Sequence, residues 1–226
     1  MILVEKTEVF NFEGAIRGMR NPLNSWDRSD SVFAENPDDF VVGPNDMGLM
    51  QKLVKAGSEH RKFMRQIMVC VDITAPLYWW KEFDTYKVGT VANSCSTMHK
   101  IASKEFELDD FSHEHLLNDW ESKEELWTYN YEYDNTSKDL LEITIYVLNQ
   151  FRCLYLKTNY KRYWWQMIQL LPSSYNQRRT WTGNYENLFS MYHQRKNHKL
   201  DEWHQFCDWI ETLPYANELI VGDSND

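Results

Sequence analysis

The spacing of hydrophobic residues along the chain predicts a mixture of strands and helices. Residues 2–10 are rich in β-branched side chains, and residues 67–73 form a continuous apolar run typical of a buried strand. A helical period is clearest in residues 140–155, where apolar side chains recur every three or four positions. Further helices are predicted over residues 12–20, 45–56, 77–83, 160–171, 184–196 and 200–213, and a further strand over residues 178–182. This mixture predicts an α/β protein.

Capping residues mark the starts of several predicted helices. Asn11 and Asn184 each stand at an N-cap position, because asparagine accepts a hydrogen bond from the first helical turn. Asn45 begins a third helix, and Pro76 stands at the first turn of a fourth.

Three segments show no clear period. Residues 21–44 mix Asn, Ser, Asp and Pro and predict a long irregular loop, and ordered loops of this length are often functional. Residues 89–99 are small and polar, whereas residues 104–133 are acidic. Neither a Gly/Ser/Pro-rich linker nor an internal repeat divides the chain, so residues 1–226 are predicted to form a single domain.

Composition excludes several function classes. Aromatic residues make up 15% of the 226 residues, and the formal net charge is −10 at pH 7. A chain so rich in large apolar side chains is not disordered. Binding to nucleic acid requires clustered Lys and Arg, so this acidity argues against a nucleic-acid partner. The absence of GxGxxG and GxxxxGK(S/T) argues against Rossmann and P-loop nucleotide sites.

Cysteine spacing and hydropathy give expectations about disulfides, metal binding and the cellular location of the protein. The cysteines are Cys70, Cys95, Cys153 and Cys207. They include no CxxC pair, so we expect no disulfide or zinc framework and, for three of them, small buried thiols. The first residues are too charged for a signal peptide, and Asp72 and Pro76 break the longest apolar stretch. We therefore expect a cytoplasmic protein that does not span a membrane.

Two histidine-containing groups allow a chemical and a structural interpretation. His99 lies one helical turn after Cys95 and would serve as the base for a thiol nucleophile, although a lone cysteine is more often a buried structural thiol. His113 and His115 have the donor chemistry of a metal site. No third ligand is identifiable near them, so no metal site is predicted.

A group of basic residues stands out in this acidic sequence. Its members are Arg178, Arg179, Arg195, Lys196 and Lys199. Such a group would hold a phosphate through charge-assisted hydrogen bonds, or it would pair with the surplus carboxylates of the chain. The sequence leaves both interpretations open.

Two segments, taken together, resemble the flavin-dependent thymidylate synthases. In residues 73–99 a strand ends in an Ala-Pro helix start, an aromatic helix follows, and a polar stretch stands where that family has RHRxxSxNExSxRY. The second segment is similar to the family's Leu-Pro, Thr-x-Asn and Arg-x-x-x-His-x-x-x-Glu pattern, at Leu171-Pro172, residues 180–184, Arg195, His198 and Glu202. The resemblance is strongest over residues 60–210.

The resemblance implies a fold, an assembly and a reaction. The implied fold is a single α+β domain with a central, mostly antiparallel sheet flanked by long helices, and the implied assembly is a homotetramer. Members of the family methylate the base of dUMP, with methylene folate as the carbon donor and FAD as the hydride carrier. FAD is therefore the implied cofactor, and a dUMP-like nucleotide is the implied substrate.

The resemblance also assigns roles to residues. Without gaps, the family's Arg-His-Arg falls on Thr85, Tyr86 and Lys87, so one of the three cations is kept. A register shifted by one residue would instead match Asn93 and Ser96 to the Asn and Ser of the motif. The residues implied to contact flavin are Tyr86, Lys87, Asn184, Arg195 and His198. Those implied to contact the nucleotide are Thr90, Asn93, Cys95, Ser96 and Arg195.

Two functions follow from the sequence. The first is a divergent flavin-dependent thymidylate synthase-like protein that binds a dUMP-like nucleotide, with reductive methylation of the base as its reaction. The alternative is a catalytically inactive relative that keeps the fold as a binding or assembly protein, and the loss of two cations from Arg-His-Arg favours it.

Overall fold

The computed structural model describes residues 1–34, 40–118 and 136–222. Much of the acidic segment at 104–133 therefore lies outside the described residues. The chain divides into two compact units. The first unit consists of Met1, Thr74–Glu82 and Ser94–Arg178. The second consists of Ile2–Ile73, Phe83–Asn93 and Arg179–Asp226. That residues 1–226 form one domain stays a prediction.

A four-stranded antiparallel sheet lies at the centre of the fold. The strands of the described residues are β1 (Leu3–Phe10), β2 (Val32–Phe33), β3 (Phe40–Val41), β4 (Met68–Pro76), β5 (Val91–Ser94) and β6 (Asn176–Asn184). The sheet has the order β1-β4-β6-β5. Its interior strand β4 buries every second residue and contains the predicted apolar run, which explains why that run carries so few polar side chains. β2 and β3 pair separately, with Phe33 opposite Phe40.

Helices make up most of the remaining regular structure. They are α1 (Phe12–Arg20), α2 (Pro44–Lys55), α3 (Leu77–Phe83), α4 (Thr97–Lys100), α5 (Ser137–Thr158), α6 (Lys161–Leu170), α7 (Tyr185–Arg195) and α8 (Asp201–Glu211). The longest is α5, as the helical period predicted, and a capping box between Thr136 and Asp139 fixes its first turn. The α+β class with a central antiparallel sheet and long helices is confirmed.

One capping prediction is wrong, and one predicted helix start shifts by a residue. Asn11 precedes α1 but has a left-handed backbone (φ 75°), and its side-chain amide donates to the carbonyl of Gln66 instead of capping the helix. α2 begins at Pro44, one residue before the predicted Asn45, because proline already has the helical φ and needs no hydrogen-bonded N–H at that position.

Aromatic side chains form much of the core in each unit. In the second unit, Trp203 is fully buried and its ring lies within 6.1 Å of Phe83 and 5.7 Å of Phe206. In the first unit, the buried cluster consists of Ile101, Phe106, Phe111, Leu141, Leu148 and Met167. Much of the aromatic excess therefore serves packing.

Within the described ranges, none of the helices combines the length and the apolar character that crossing a membrane requires.

Candidate functional site

The residues that the resemblance assigned lie at two places, one in each unit. Cys95 and Ser96 belong to the first unit. The others belong to the second unit, and they are Tyr86, Lys87, Thr90, Asn93, Asn184, Arg195 and His198.

A cavity of about 300 Å³ opens beside Cys95 in the first unit, and we name it the Cys95 cavity. Ser96 also lines it, so the structure brings these two predicted residues together. Three cations, Lys100, Lys104 and Arg178, complete its polar wall. This concentration of positive charge contrasts with the net charge of −10 of the whole chain.

The start of β6 holds the loop that carries Cys95. Gln177 is nine-tenths buried, and its side-chain amide donates to the carbonyl of Cys95 at 3.0 Å and to the hydroxyl of Thr97 at 3.1 Å. The backbone N–H of Cys95 donates to the carbonyl of Arg178 at 2.9 Å. The loop is therefore fixed by bonds that do not involve the side chain of Cys95.

The residues next to Cys95 bear on two predictions made from the sequence, that His99 is a base for its thiol and that the thiol is buried. Ser96 caps α4, because its hydroxyl accepts from the backbone N–H of His99 at 3.2 Å. His99 is thus attached to this loop through its backbone, and its role as a base for the Cys95 thiol stays a hypothesis. Cys95 itself is exposed, so the expectation of a buried structural thiol is wrong there. Cys153 is also exposed, contrary to prediction, whereas Cys207 is buried as predicted.

Two of the cations that line the Cys95 cavity, Lys104 and Lys100, differ in their surroundings. Lys104 is hydrogen-bonded to Asp110, and this bond raises the pKa of the lysine despite partial burial. Burial raises the pKa of the neighbouring Tyr175 hydroxyl, and the charge of Asp110 adds to the rise. Lys100 is exposed. Lys104 thus stays protonated near neutral pH, and Tyr175 stays an uncharged hydroxyl.

In the second unit, Tyr86 and Arg195 form a cluster with an aromatic floor. Arg195 Nε donates to the Tyr86 hydroxyl at 2.9 Å, and that hydroxyl donates to Gln194 at 3.0 Å. The guanidinium carbon lies 4.9 Å from the centre of the Trp203 ring, within cation–π range. The ring of His198 lies 6.3 Å from the same tryptophan, so Tyr86, Arg195 and His198 are brought together.

Asn184 has a structural task next to this cluster. Its side chain accepts from the backbone N–H of Asn187 at 3.0 Å, and Asn187 returns the bond at 3.1 Å, which completes the predicted cap of α7. The amide of Asn187 also donates to the carbonyl of Val88 at 2.8 Å. The following Gly89 has a φ of 73°, a conformation that favours glycine, so the turn leaving Tyr86 is held against the start of α7.

The other assigned residues of the second unit lie on or just after that turn. Thr90 is half-buried, and its hydroxyl donates to the carbonyl of Tyr86 at 3.0 Å. Lys87 and Asn93 are exposed.

The basic residues singled out in the sequence separate in the structure. Arg178 lines the Cys95 cavity, whereas the adjacent Arg179 forms an ion pair with Asp84 at 2.7 Å. Lys196 lies over the ring of Tyr192. Of the two open interpretations, the internal ion pair therefore applies to Arg179, whereas Arg178 lines a cavity.

The residues implied for FAD use some of their polar atoms in internal bonds. Asn184 is buried and uses its carbonyl oxygen as a helix cap, and the Tyr86 hydroxyl and Arg195 Nε are bonded to each other. The anionic diphosphate of FAD needs several free donors, and Lys87 is the exposed cation of this set. Across the described residues there is also no group of three His, Cys, Asp or Glu side chains arranged to hold a metal ion.

Sequence reasoning missed several residues of the Cys95 cavity. Lys100 and Lys104 follow Cys95 closely in the chain, and this proximity was the available signal. Gln177 and Tyr175 come from a distant segment, and nothing in their sequence context links them to Cys95.

Comparison with known proteins identifies the fold. No protein-family model matches the sequence, and no curated protein matches it. Solved structures do match. The thymidylate synthase X (ThyX) of Helicobacter pylori with FAD and dUMP has 16% sequence identity, a TM-score of 0.65 and 97% coverage of both chains. The chain has the fold of a flavin-dependent thymidylate synthase.

Two further structures agree with the ThyX fold. A second Helicobacter pylori ThyX complex with FAD and dUMP has 15% identity, a TM-score of 0.63 and 97% coverage of both chains. The UMP/dUMP methylase PolB of Streptomyces cacaoi, bound with 5-Br UMP, has 14% identity and a TM-score of 0.57, over 94% of this chain and 88% of that one. The likeness inferred from residues 60–210 is thus confirmed as a likeness of fold.

Proposed function

We propose that this chain binds a uridine-type nucleoside monophosphate in the Cys95 cavity. The observation that carries the proposal is the group of Lys100, Lys104 and Arg178 around one cavity of a strongly acidic chain. The sequence resemblance had assigned nucleotide contacts to Cys95 and Ser96, which line the same cavity.

The volume and charge of the cavity suit a mononucleotide. Ligand pockets range over roughly 300–1,000 Å³, and about 300 Å³ lies at the lower end of that range. A charge-assisted hydrogen bond contributes about 1.5–3 kcal/mol, so the exposed Lys100 would supply much of the phosphate affinity. Phe106 and Tyr175 give the cavity its aromatic side, where a flat base would pack.

The bound ligands of the similar structures support the choice of a uridine nucleotide. The ThyX complexes contain dUMP, and the PolB complex contains 5-Br UMP.

Methylation of the base with FAD and methylene folate is the second candidate, supported by the FAD-bound ThyX structures that this fold matches. When bound, FAD would supply the hydride. Because Asn184, Tyr86 and Arg195 use polar atoms for internal bonds, we propose nucleotide binding without flavin chemistry. The homotetramer and the cytoplasmic location implied by the sequence remain proposals, and sedimentation analysis tests the tetramer.

Thermal unfolding with dUMP and UMP tests nucleotide binding. A ligand at about 100 times its Kd stabilises the native state by about 2.7 kcal/mol, which corresponds to a rise in Tm of about 5–10 °C for a chain of this size. Arg178→Gln and Lys100→Gln should each weaken binding about tenfold or more. Lys157→Gln is the matched control, since it removes one exposed positive charge from the end of α5.

Thiol labelling locates the site independently. Cys95 and Cys153 are both exposed, so both should react, and dUMP should slow the labelling of Cys95 alone. Equal labelling of Cys95 with and without saturating dUMP would place the nucleotide elsewhere. A purified protein with the visible absorbance band of oxidised flavin, or a Tm raised by FAD, would restore the flavoenzyme hypothesis.

A further inference from the structure

A second cavity lies in the second unit and belongs to neither assigned group. It has a volume of about 510 Å³, and we name it the Trp26 pocket. Its apolar lining consists of Ile16, Trp26, Val32, Phe33 and Phe40. It shares no lining residue with the Cys95 cavity, and the nucleotide proposal does not use it.

Arg20, which lines the Trp26 pocket, forms a buried ion pair with Asp46. Asp46 is fully buried and Arg20 is 4% exposed, and Arg20 Nε donates to Asp46 Oδ1 at 2.6 Å. The other oxygen of Asp46 accepts from the hydroxyls of Ser29 and Ser31 and from the backbone N–H groups of Asp30 and Ser31. The loop that the sequence predicted as irregular is therefore tied to α2 at one carboxylate.

The guanidinium of Arg20 ties the same loop from the other side. It donates to the carbonyl of Ser25 at 3.0 Å and to that of Arg28 at 3.1 Å. The wall of the pocket is thus ordered by internal bonds before any ligand arrives, and such preorganisation lowers the entropic cost of binding.

The aromatic walls are fixed but remain open to solvent. The indole N–H of Trp26 donates to the side chain of Asn21 at 2.9 Å, and Phe33 meets Phe40 edge to face at 5.1 Å. Even so, Trp26 is 50% exposed and Phe33 is 53% exposed. A ring entering the pocket would bury apolar surface that the chain itself leaves in water.

Arg17 and Glu13 both line the pocket, and Arg17 is the group of this pair that can bind an anion. Arg17 lines the pocket from α1, and its side chain is 67% exposed. Arg17 Nη1 lies 3.8 Å from Oε1 of Glu13, which is beyond hydrogen-bond distance. The guanidinium can therefore still donate to an anion.

We propose that the Trp26 pocket binds a planar aromatic molecule that carries an anionic group. The ring packs against Trp26, Phe33 and Phe40, and the anion is held by Arg17. The volume of 510 Å³ accommodates two or three fused or linked rings.

Fluorescence titration with 8-anilinonaphthalene-1-sulfonate, an aromatic sulfonate, tests the proposal on the full chain. We expect saturable binding of one dye per chain and energy transfer from tryptophan to the dye. The neutral dye N-phenyl-1-naphthylamine has the same rings without the sulfonate and reports the aromatic part of the site alone. Saturating dUMP should displace neither dye, because dUMP is assigned to the other cavity.

Two variants separate the contribution of the aromatic ring to dye binding from that of the charge. Trp26→Ala should weaken the binding of both dyes about tenfold or more. Arg17→Gln should weaken the binding of the sulfonate dye about tenfold and leave that of the neutral dye unchanged. Trp165→Ala is the matched control, because Trp165 is 43% exposed and lies in the first unit. Near-ultraviolet circular dichroism shows that each variant is folded. Sulfonate binding that survives Trp26→Ala, or that Lys100→Gln reduces as much as Arg17→Gln does, overturns the proposal.

Discussion

Replacing Asp46 with asparagine should strongly destabilise the second unit. The substitution keeps the size of the side chain but removes the charge that faces Arg20, whose side chain is 4% exposed. It also replaces one acceptor oxygen by an NH₂ group, so hydroxyl and N–H donors of residues 29–31 lose their partner.

The size of the effect follows from burial. Breaking a buried ion pair by removing one partner costs about 3–5 kcal/mol, because the remaining charge cannot be solvated. Proteins of ordinary stability unfold with about 5–15 kcal/mol, so Asp46→Asn should remove a third of the total or more. Glu13→Gln is the control, since the exposed pair of Glu13 with Arg17 should contribute less than about 1 kcal/mol.

The same carboxylate predicts a pH dependence. Burial by itself would raise the pKa of Asp46, but hydrogen bonds from Ser31, Ser29 and Arg20 outweigh burial and hold the pKa below its usual value. A lowered pKa in the folded state stabilises the protein above the unfolded value of about 3.9, and this stabilisation is lost as the pH falls through the folded pKa. The difference between wild type and Asp46→Asn should therefore shrink in acid.

Urea unfolding followed by circular dichroism measures the free energy of unfolding of all three proteins. We expect a large fall in the midpoint for Asp46→Asn and almost none for Glu13→Gln. A loss below about 1 kcal/mol for Asp46→Asn near neutral pH, or a difference from wild type that does not shrink in acid, would refute the reasoning.

Three further predictions concern the other described sites. Asn184→Ala removes the cap of α7 and should cost about 1 kcal/mol, measured by urea unfolding, and an unchanged midpoint would contradict the cap. Tyr86→Phe removes the acceptor of Arg195 Nε and should cost about 0.5–1.5 kcal/mol by the same assay, whereas no loss would show that the bond is dispensable. Burial raises the pKa of the Cys207 thiol to about 12, so alkylation near neutral pH followed by mass spectrometry should find Cys95 and Cys153 modified and Cys207 intact. Rapid labelling of Cys207 in the folded protein would show that its burial is wrong.

The sequence pattern was sufficient to predict the elements that are determined by residues close together in the sequence. The period of α5 and the apolar run of β4 are properties of a few adjacent turns or residues, and both elements occur as predicted. The pairing of β2 with β3 could not be predicted, because each strand has two residues and no measurable period. Residues 29–31 of the segment predicted as irregular are held by Asp46, which follows them in the chain, and a local pattern does not reveal such bonds.

The candidate site likewise contains residues that the sequence predicted and residues that it did not. Cys95 and Ser96 were predicted from a motif, whereas Gln177 and Tyr175 reach the cavity only through the pairing of distant segments. The basic cluster was harder still, because adjacent strand residues point to opposite faces. Arg178 therefore lines the cavity, while Arg179 pairs with Asp84.

The amide of Gln177 has a consequence for how position 95 can change. Its two bonds reach the backbone carbonyl of residue 95 and the hydroxyl of Thr97, and the N–H of residue 95 is bonded to a carbonyl of β6. The side chain at position 95 is thus chosen independently of the shape of the loop. Replacing the thiol by a hydroxyl or a methyl group, as in Cys95→Ser or Cys95→Ala, therefore leaves every one of these loop bonds in place.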